Sequence, residues 1–282
     1  MKLAIFLQYI APKQLITALA GKLAHLKLGS LTTRFIAWFA ARYHVNMQEA
    51  ENPDIASYST FNAFFTRPLK TGARPIADAQ FICPVDGAIS QFGNIENDQI
   101  FQAKGHHYTA NALVGDQPAL AKKFENGLFA CLYLSPKDYH RIHMPCDGQL
   151  ISMTYVPGKL FSVNPLTAQH VPGLFAVNER VVCEFNSEKF GRFVMVLVGA
   201  TIVGSMATVW HDTPNKIINP PRTKKPRSWQ YAHRNIQLKQ GDEMGRFLLG
   251  STVVMLFEKN TFAFNADWSP AKPIRLGEKM GD

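Results

Sequence analysis

A serine that follows a glycine can attack the peptide carbonyl just before it, and Gly250-Ser251 is such a pair. The bond lies between the polar turn Gln240-Gly241-Asp242-Glu243-Met244-Gly245 and the apolar run Val253-Val254-Met255-Leu256-Phe257. Attack by the hydroxyl would convert the amide into an ester. With no Cβ on Gly250 the carbonyl is open to approach and the backbone is free to adopt the angles required. β-Elimination would then break the Cβ–Oγ bond, and hydrolysis of the resulting dehydroalanine would leave a pyruvoyl group at position 251. Such a chain would build its own electrophilic cofactor. Taken alone, the pair reads more simply as an ordinary turn ahead of a strand.

Two other stretches carry groups that could serve this reaction. Cys83-Pro84-Val85-Asp86-Gly87-Ala88-Ile89-Ser90 places an acid at a strand-turn junction. Leu134-Ser135-Pro136-Lys137-Asp138-Tyr139-His140-Arg141-Ile142-His143-Met144-Pro145 holds two histidines. There Ser135 can cap a short helix, Pro136 suits its first position and Pro145 stops it. This predicts a helix over Ser135–His143 with His140 and His143 on one face. Asp86, His143 and Ser251 then supply an orienting acid, a base and a nucleophile. Sequence order does not by itself bring them together. A serine hydrolase would use the same three groups and keep its chain whole.

Several motifs in one order resemble the phosphatidylserine decarboxylases of the bacterial, membrane-associated type. They are Phe64-Phe65-Thr66-Arg67-Pro68-Leu69-Lys70 with Arg74-Pro75, Pro84-Val85-Asp86-Gly87, Asp138-Tyr139-His140-Arg141-Ile142-His143-Met144-Pro145, and Phe161-Ser162-Val163-Asn164. Val198-Gly199-Ala200-Thr201-Ile202-Val203-Gly204, Glu243-Met244-Gly245-Arg246-Phe247 and Leu249-Gly250-Ser251-Thr252 complete the set. The resemblance implies self-cleavage between Gly250 and Ser251, giving a β chain of residues 1–250 and an α chain of residues 251–282 that begins with pyruvoyl. It implies Ser251 as nucleophile, His143 as the base that takes its proton, and Asp86 as the group holding the imidazole. The pyruvoyl ketone would form a Schiff base with the amine of phosphatidylserine and accept electron density as carbon dioxide leaves, the role pyridoxal phosphate plays elsewhere. The product would be phosphatidylethanolamine. His140 is the candidate for proton delivery or carboxylate positioning, and Phe161 and Asn164 are candidate substrate-binding wall residues. No metal and no pyridoxal phosphate are expected, and a homodimer is compatible with the resemblance.

Charge points to where such an enzyme would work. The 282 residues carry a net charge of +9, yet residues 1–48 contain no acid and six cations, Lys2, Lys13, Lys22, Lys27, Arg34 and Arg42. Leu15, Ile16, Leu19, Leu23 and Leu26 recur on one helical side, as do Leu31, Phe35, Trp38 and Phe39. No apolar run approaches the ~18–20 residues needed to span a bilayer. Cationic amphipathic helices of this kind lie on an anionic membrane, or else pack as an arm on the rest of the chain. The expected site of action is therefore peripheral, on the cytoplasmic face of the cell membrane. A pyruvoyl enzyme acting on soluble amino acids would need no such arm, and a non-enzymatic binder would need only the charge.

A second basic stretch runs from Lys216 through Arg222, Lys224, Lys225, Arg227 and Arg234 to Lys239, with Trp229 and Tyr231 interleaved. Its prolines at 214, 220, 221 and 226 predict a loop, and no fold motif supports nucleic-acid binding. The four cysteines show no paired spacing and read as reduced thiols. His140, His143 and Cys146 are loosely spaced for a metal, but Pro145 interrupts them and no second ligand group follows. Predicted strands are Gly87–Phe92, Gln99–Lys104, Phe129–Leu134, Gln149–Val156, Arg180–Phe185, Arg192–Val198, Thr201–Val209 and Thr252–Phe257. Frequent Gly and Pro between them favour antiparallel pairing. The fold class expected is α+β, with amphipathic helices over residues 1–47 docked on a mainly antiparallel β catalytic domain over residues 48–282.

Overall fold

The computed structural model describes residues 3–201, 206–211, 225–248 and 251–282. It is an α+β fold in which helices precede a mainly antiparallel sheet region. Among the described residues the principal sheet has nine strands. In spatial order eight of them are Arg227–Gln230, Gly148–Val156, Arg180–Ser187, Gly191–Val198, Ser251–Phe257, Leu128–Leu134, Gly87–Asn94 and Pro273–Ile274, and Gln237–Leu238 also pairs with the second. All neighbours are antiparallel.

The strand Ser251–Phe257 lies in the interior of this sheet, paired on one side with Leu128–Leu134 and on the other with Gly191–Val198. All seven of its residues are buried, which explains why it is almost uniformly apolar rather than alternating. Its side chains nevertheless sort by parity. Val253, Met255 and Phe257 join a core with Ile142, Met206, Met244 and Phe247, whereas Val254 and Leu256 join a second core with Phe161, Phe175 and Ile5. Ser251 shares the parity of the first set. That face is covered by a small sheet of Met206–Thr208, Glu243–Phe247 and Arg141–His143.

The N-terminal arm forms three helices, α1 (Leu3–Ile10), α2 (Lys13–Ala24) and α3 (Ser30–Tyr43). Helix α1 is pinned to the β region. Ile5 is fully buried, Gln8 accepts from the Ser162 N–H at 2.9 Å and donates to the Thr167 hydroxyl, and Tyr9 sits edge-on to Phe161. Helix α3 buries Ile36 and Ala40 against a short helix α4 (Phe61–Phe65), capped by the Thr60 hydroxyl. Outward, Leu15, Leu19, Leu23, Leu31, Phe35 and Trp38 stay exposed. No described helix is long and apolar enough to cross a membrane.

The helix expected over Ser135–His143 does not form. The Asp138 carboxylate accepts from both the N–H and hydroxyl of Ser135, closing a turn, and Arg141–His143 then pairs as a strand with Glu243–Phe247. Tertiary pairing overrides the local cap signal. His140 and His143 thus belong to a turn and a strand, not to one helical face. Of the predicted strand Thr201–Val209, Met206–Thr208 is strand, Thr201 lies in a turn and residues 202–205 lie outside the described residues. The basic loop is likewise divided: residues 212–224 lie outside the described residues, while Arg227–Gln230 forms an edge strand against Ser152–Tyr155.

Candidate active site

The strand register puts the candidate residues at one end of the sheet. Ser251 lies opposite Leu134, and on the far side of Leu128–Leu134 the strand Gly87–Asn94 begins just after Asp86. A Cβ on Gly87 would collide with the Tyr133 carbonyl, so glycine is what lets the chain leave Asp86 this close to its neighbour. Ser251 and Asp86 are therefore two strand spacings apart, roughly 10 Å across the sheet. His143 comes from the covering sheet, where its N–H donates to the Pro84 carbonyl at 2.9 Å. On the other side, the Phe247 N–H bonds the His140 carbonyl. The turn from Ser135 to Tyr139 is thus bracketed by pairing to Phe247 and Ser251, described residues on either side of the proposed cleavage bond. Gly250 itself lies outside the described residues. The Leu248 carbonyl is held by the Asn62 side chain of α4 at 2.9 Å.

Ser251 is 1 % exposed, and its Oγ has no hydrogen-bond partner among the described residues. Burial of a hydroxyl without a partner costs about 1–3 kcal/mol, and the adjacent Thr252 hydroxyl is left without one among the described residues in the same way. Among the described residues no hydrogen bond joins the three proposed triad members to one another. His143 Nδ1 lies 2.7 Å from the Gly241 carbonyl, which can only accept, so this nitrogen carries the proton. Its Nε2 then presents a lone pair, taken up by the Tyr139 hydroxyl at 3.2 Å. Burial is the main cause that lowers the His143 pKa from its ordinary value, and the Gly241 hydrogen bond and the Glu243 charge oppose it. The ring is neutral near pH 7, the form a general base requires.

Asp86 is buried and faces elsewhere. The Arg74 guanidinium grips both carboxylate oxygens, Nε at 2.9 and 3.1 Å and Nη2 at 2.6 Å, while the Leu276 N–H adds a bond of 2.9 Å. Arg74 also reaches Glu49 at 2.7 Å. Asp86 acts on His143 through its charge, as one of several that shift the ring. Beside this cluster lies a polar cavity of about 590 Å³ whose lining includes Arg67, Arg74, Asp86, Tyr133, Asp138 and Tyr139.

His140 is fully buried with its ring 4.1 Å from that of Phe65. Its Nδ1 donates to the Asp138 carbonyl at 2.8 Å, and Nε2 has no partner among the described residues. Burial is the largest cause that pushes its pKa down to about 3. In this state the ring holds no proton at Nε2 to give, and burial opposes its taking one. Phe161 is buried under Tyr9, its N–H and carbonyl clasped by the Asn178 side chain, which also holds the Gly199 carbonyl. Asn164 caps the turn Pro165–Ala168 through the Thr167 N–H and hydroxyl. Phe161 and Asn164 therefore belong to the loop that carries α1.

Sequence reasoning missed the partners. Arg74 and Tyr139 stood inside quoted motifs without a role, whereas Gly241 and Asn62 act through a carbonyl and a distant backbone contact that no spacing announces. All four cysteines are free and buried.

A family model described as phosphatidylserine decarboxylase matches residues 61–282, and a second, described as PSD, matches residues 3–44. A protein named phosphatidylserine decarboxylase proenzyme from Dechloromonas aromatica is 69 % identical over 280 residues, covering 99 % of this chain and 98 % of its own. Proteins of the same name from Methylobacillus flagellatus and an Azoarcus species are each 65 % identical, covering 98 % and 100 % of this chain and 98 % and 96 % of their own.

Proposed function

The chain belongs to the phosphatidylserine decarboxylase family, and on that premise we propose that it is a self-processing enzyme that decarboxylates phosphatidylserine to phosphatidylethanolamine at a membrane surface. The observation that carries the reading is the Ser251 hydroxyl, buried and unpartnered among the described residues, at the head of an interior strand. Ser251 Oγ attacks the Gly250 carbonyl carbon, the C–N bond breaks and an ester remains. His143 takes the hydroxyl proton at Nε2, for which the Tyr139 hydroxyl must yield its place. The Gly241 carbonyl fixes the tautomer, and Asp86 supplies negative charge behind the imidazolium that forms. Elimination then frees Gly250 as the carboxylate end of residues 1–250.

A pyruvoyl group at position 251 would supply the electron sink that decarboxylation needs. The residues around it fit that group, since the one unmatched side-chain atom at position 251, the hydroxyl oxygen, leaves with the Gly250 carboxylate when the group forms. His140 is the candidate for proton delivery or carboxylate positioning, a part it can play once a proton has reached Nε2, which has no partner among the described residues. Phe161 and Asn164 shape the wall beneath α1.

The arm of residues 1–47 brings this site to lipid, and residues 48–282 form the catalytic unit. The reading is peripheral attachment at the cytoplasmic face of the cell membrane, supported by acid-free cationic helices with exposed leucines and by free thiols.

The test is intact mass spectrometry joined to a lipid assay. Wild type is expected as two pieces, residues 1–250 and 251–282, the second without an N-terminal amine and reactive toward borohydride. It should release carbon dioxide from phosphatidylserine vesicles and not from free serine. Ser251→Ala is expected to remain whole and inactive. A whole wild-type chain that hydrolyses esters would replace the reading with a serine hydrolase.

A further inference from the structure

Between the start of α2 and the loop before Phe161 lies a cavity of about 540 Å³, apart from the catalytic cluster, lined in part by Tyr9, Lys13, Gln14, Lys159 and Phe161. Two ammonium groups lie near one aromatic ring there, Lys13 Nζ at 4.4 Å and Lys159 Nζ at 5.7 Å from the Phe161 centroid. Among the described residues no acid lines the cavity, and neither lysine has a carboxylate within salt-bridge distance.

Like charges brought together without a counter-ion oppose folding, and the ring face offsets only part of that cost. Burial first, and the Lys159 charge second, hold the Lys13 pKa below its ordinary value. The fold also holds the pair in place. Gln8 and Tyr9 fasten α1 to residues 161–167, and Lys13 donates to the Gln8 carbonyl. Lys13 Nζ retains further donors beyond that bond and Lys159 is exposed, so both can turn to a shared anion. The exposed Leu15 and Ile16 stand immediately beyond Lys13 on α2.

We propose that Lys13 and Lys159 form an anion site for the phosphate group of a membrane phospholipid, outside the Asp86, His143 and Ser251 cluster and sharing only Phe161 with the proposed substrate wall. Two ammonium ions suit the two free oxygens of a phosphodiester, the neighbouring apolar residues suit its acyl chains, and Tyr9 and Gln14 offer polar contacts. The lipid need not be the substrate. The inference shares with the proposed activity only the lipid surface and Phe161, and phosphate binding would stand if the decarboxylase reading failed.

The test compares full-length wild type with the double variant Lys13→Gln, Lys159→Gln and with a control of equal charge change, Lys239→Gln, Lys259→Gln, in the β region away from the arm. Binding is read by flotation with phosphatidylcholine vesicles containing phosphatidylglycerol, which is anionic and not a substrate. At about 1 kcal/mol per lysine, the double variant is expected to lose at least about tenfold in affinity and the control much less. In parallel, inorganic phosphate and glycerol 3-phosphate are titrated while thermal melting is followed. A rise in melting temperature for wild type alone would show that the site takes free phosphate as well as lipid phosphate. Vesicle loss without that rise would confine it to lipid. Equal loss in both variants, or no loss in either, would overturn the proposal by reducing it to general charge attraction. Because all readouts are binding, a failed site and a failed activity give different results.

Discussion

Replacing His140 by asparagine should remove one defined part of the acid sensitivity of folding, and the size of that part follows from the burial of one ring. An exposed histidine titrates near 6.5, while His140 in the folded chain is held down to about 3, chiefly by burial. Between those values the unfolded state binds the proton that the folded state refuses, so stability rises with pH across that window. The contribution is complete above about pH 6.5 and is lost as pH falls toward the folded value. From about pH 7 to about pH 5 the loss is about 2 kcal/mol, at 1.36 kcal/mol per pH unit below the unfolded value. The result barely depends on the folded value, because about pH 5 lies well above it. An asparagine at this position can keep the bond to the Asp138 carbonyl but cannot titrate, and it gives up the ring contact with Phe65. His140→Asn should therefore be less stable than wild type near pH 7 and should lose about 2 kcal/mol less on acidification. Urea unfolding at a series of pH values, in a Ser251→Ala background so that both chains are compared whole, gives the measurement. Parallel pH curves for the two proteins would refute a neutral buried His140.

Three further outcomes are expected. Arg74→Gln should cost about 3–5 kcal/mol by leaving the buried Asp86 carboxylate with the Leu276 N–H as its remaining donor among the described residues. Adding Asp86→Asn to that variant should recover part of the loss, and thermal melting that shows none would remove the pair from the account. Leu19→Glu with Leu23→Glu, at exposed positions of α2, should lower vesicle binding by at least about tenfold while leaving near-ultraviolet circular dichroism unchanged; equal binding would detach α2 from the membrane reading. His140→Ala should leave cleavage at Ser251 largely intact and lower carbon dioxide release, and equal loss of both by mass spectrometry and gas release would deny it a separate part in decarboxylation.

The strands were legible where a run of apolar residues met Gly or Pro, and Val253 through Phe257 is such a run. Its interior position follows from continuous hydrophobicity, which an edge strand could not sustain. The Ser135–His143 segment misled because its signals are local. Serine followed by proline does start helices, but here the Ser135 hydroxyl donates to the Asp138 carboxylate instead of accepting a backbone N–H as a cap would, and the neighbouring Glu243–Phe247 strand offered a ladder no cap could match. The site shows the same division. Ser251, His143, Asp86 and His140 were named from residue type and motif, whereas the groups that fix them came from the fold. Asn62 reaches Leu248 across 186 positions, and Gly241 reaches His143 across 98. Such contacts leave no periodicity to find. The arm was read as amphipathic from Leu15 onward, and the inward grip of Ile5 and Gln8 on α1 lay outside that pattern.

The interior place of the Ser251–Phe257 strand bears on what happens to the molecule after a cut ahead of Ser251. The strands Ser251–Phe257, Pro273–Ile274 and Lys279–Gly281 of the smaller piece would still be engaged by strands belonging to the larger one. The two polypeptides would stay together without a covalent link, and neither could leave without dismantling the sheet. Their return after denaturation would differ from the first folding, because two molecules would have to meet where one chain had closed on itself. Recovery would then depend on concentration and fall on dilution, while the uncut chain would refold at a rate indifferent to both. The mature protein would owe its persistence to a slow rate of opening rather than to an equilibrium it can revisit.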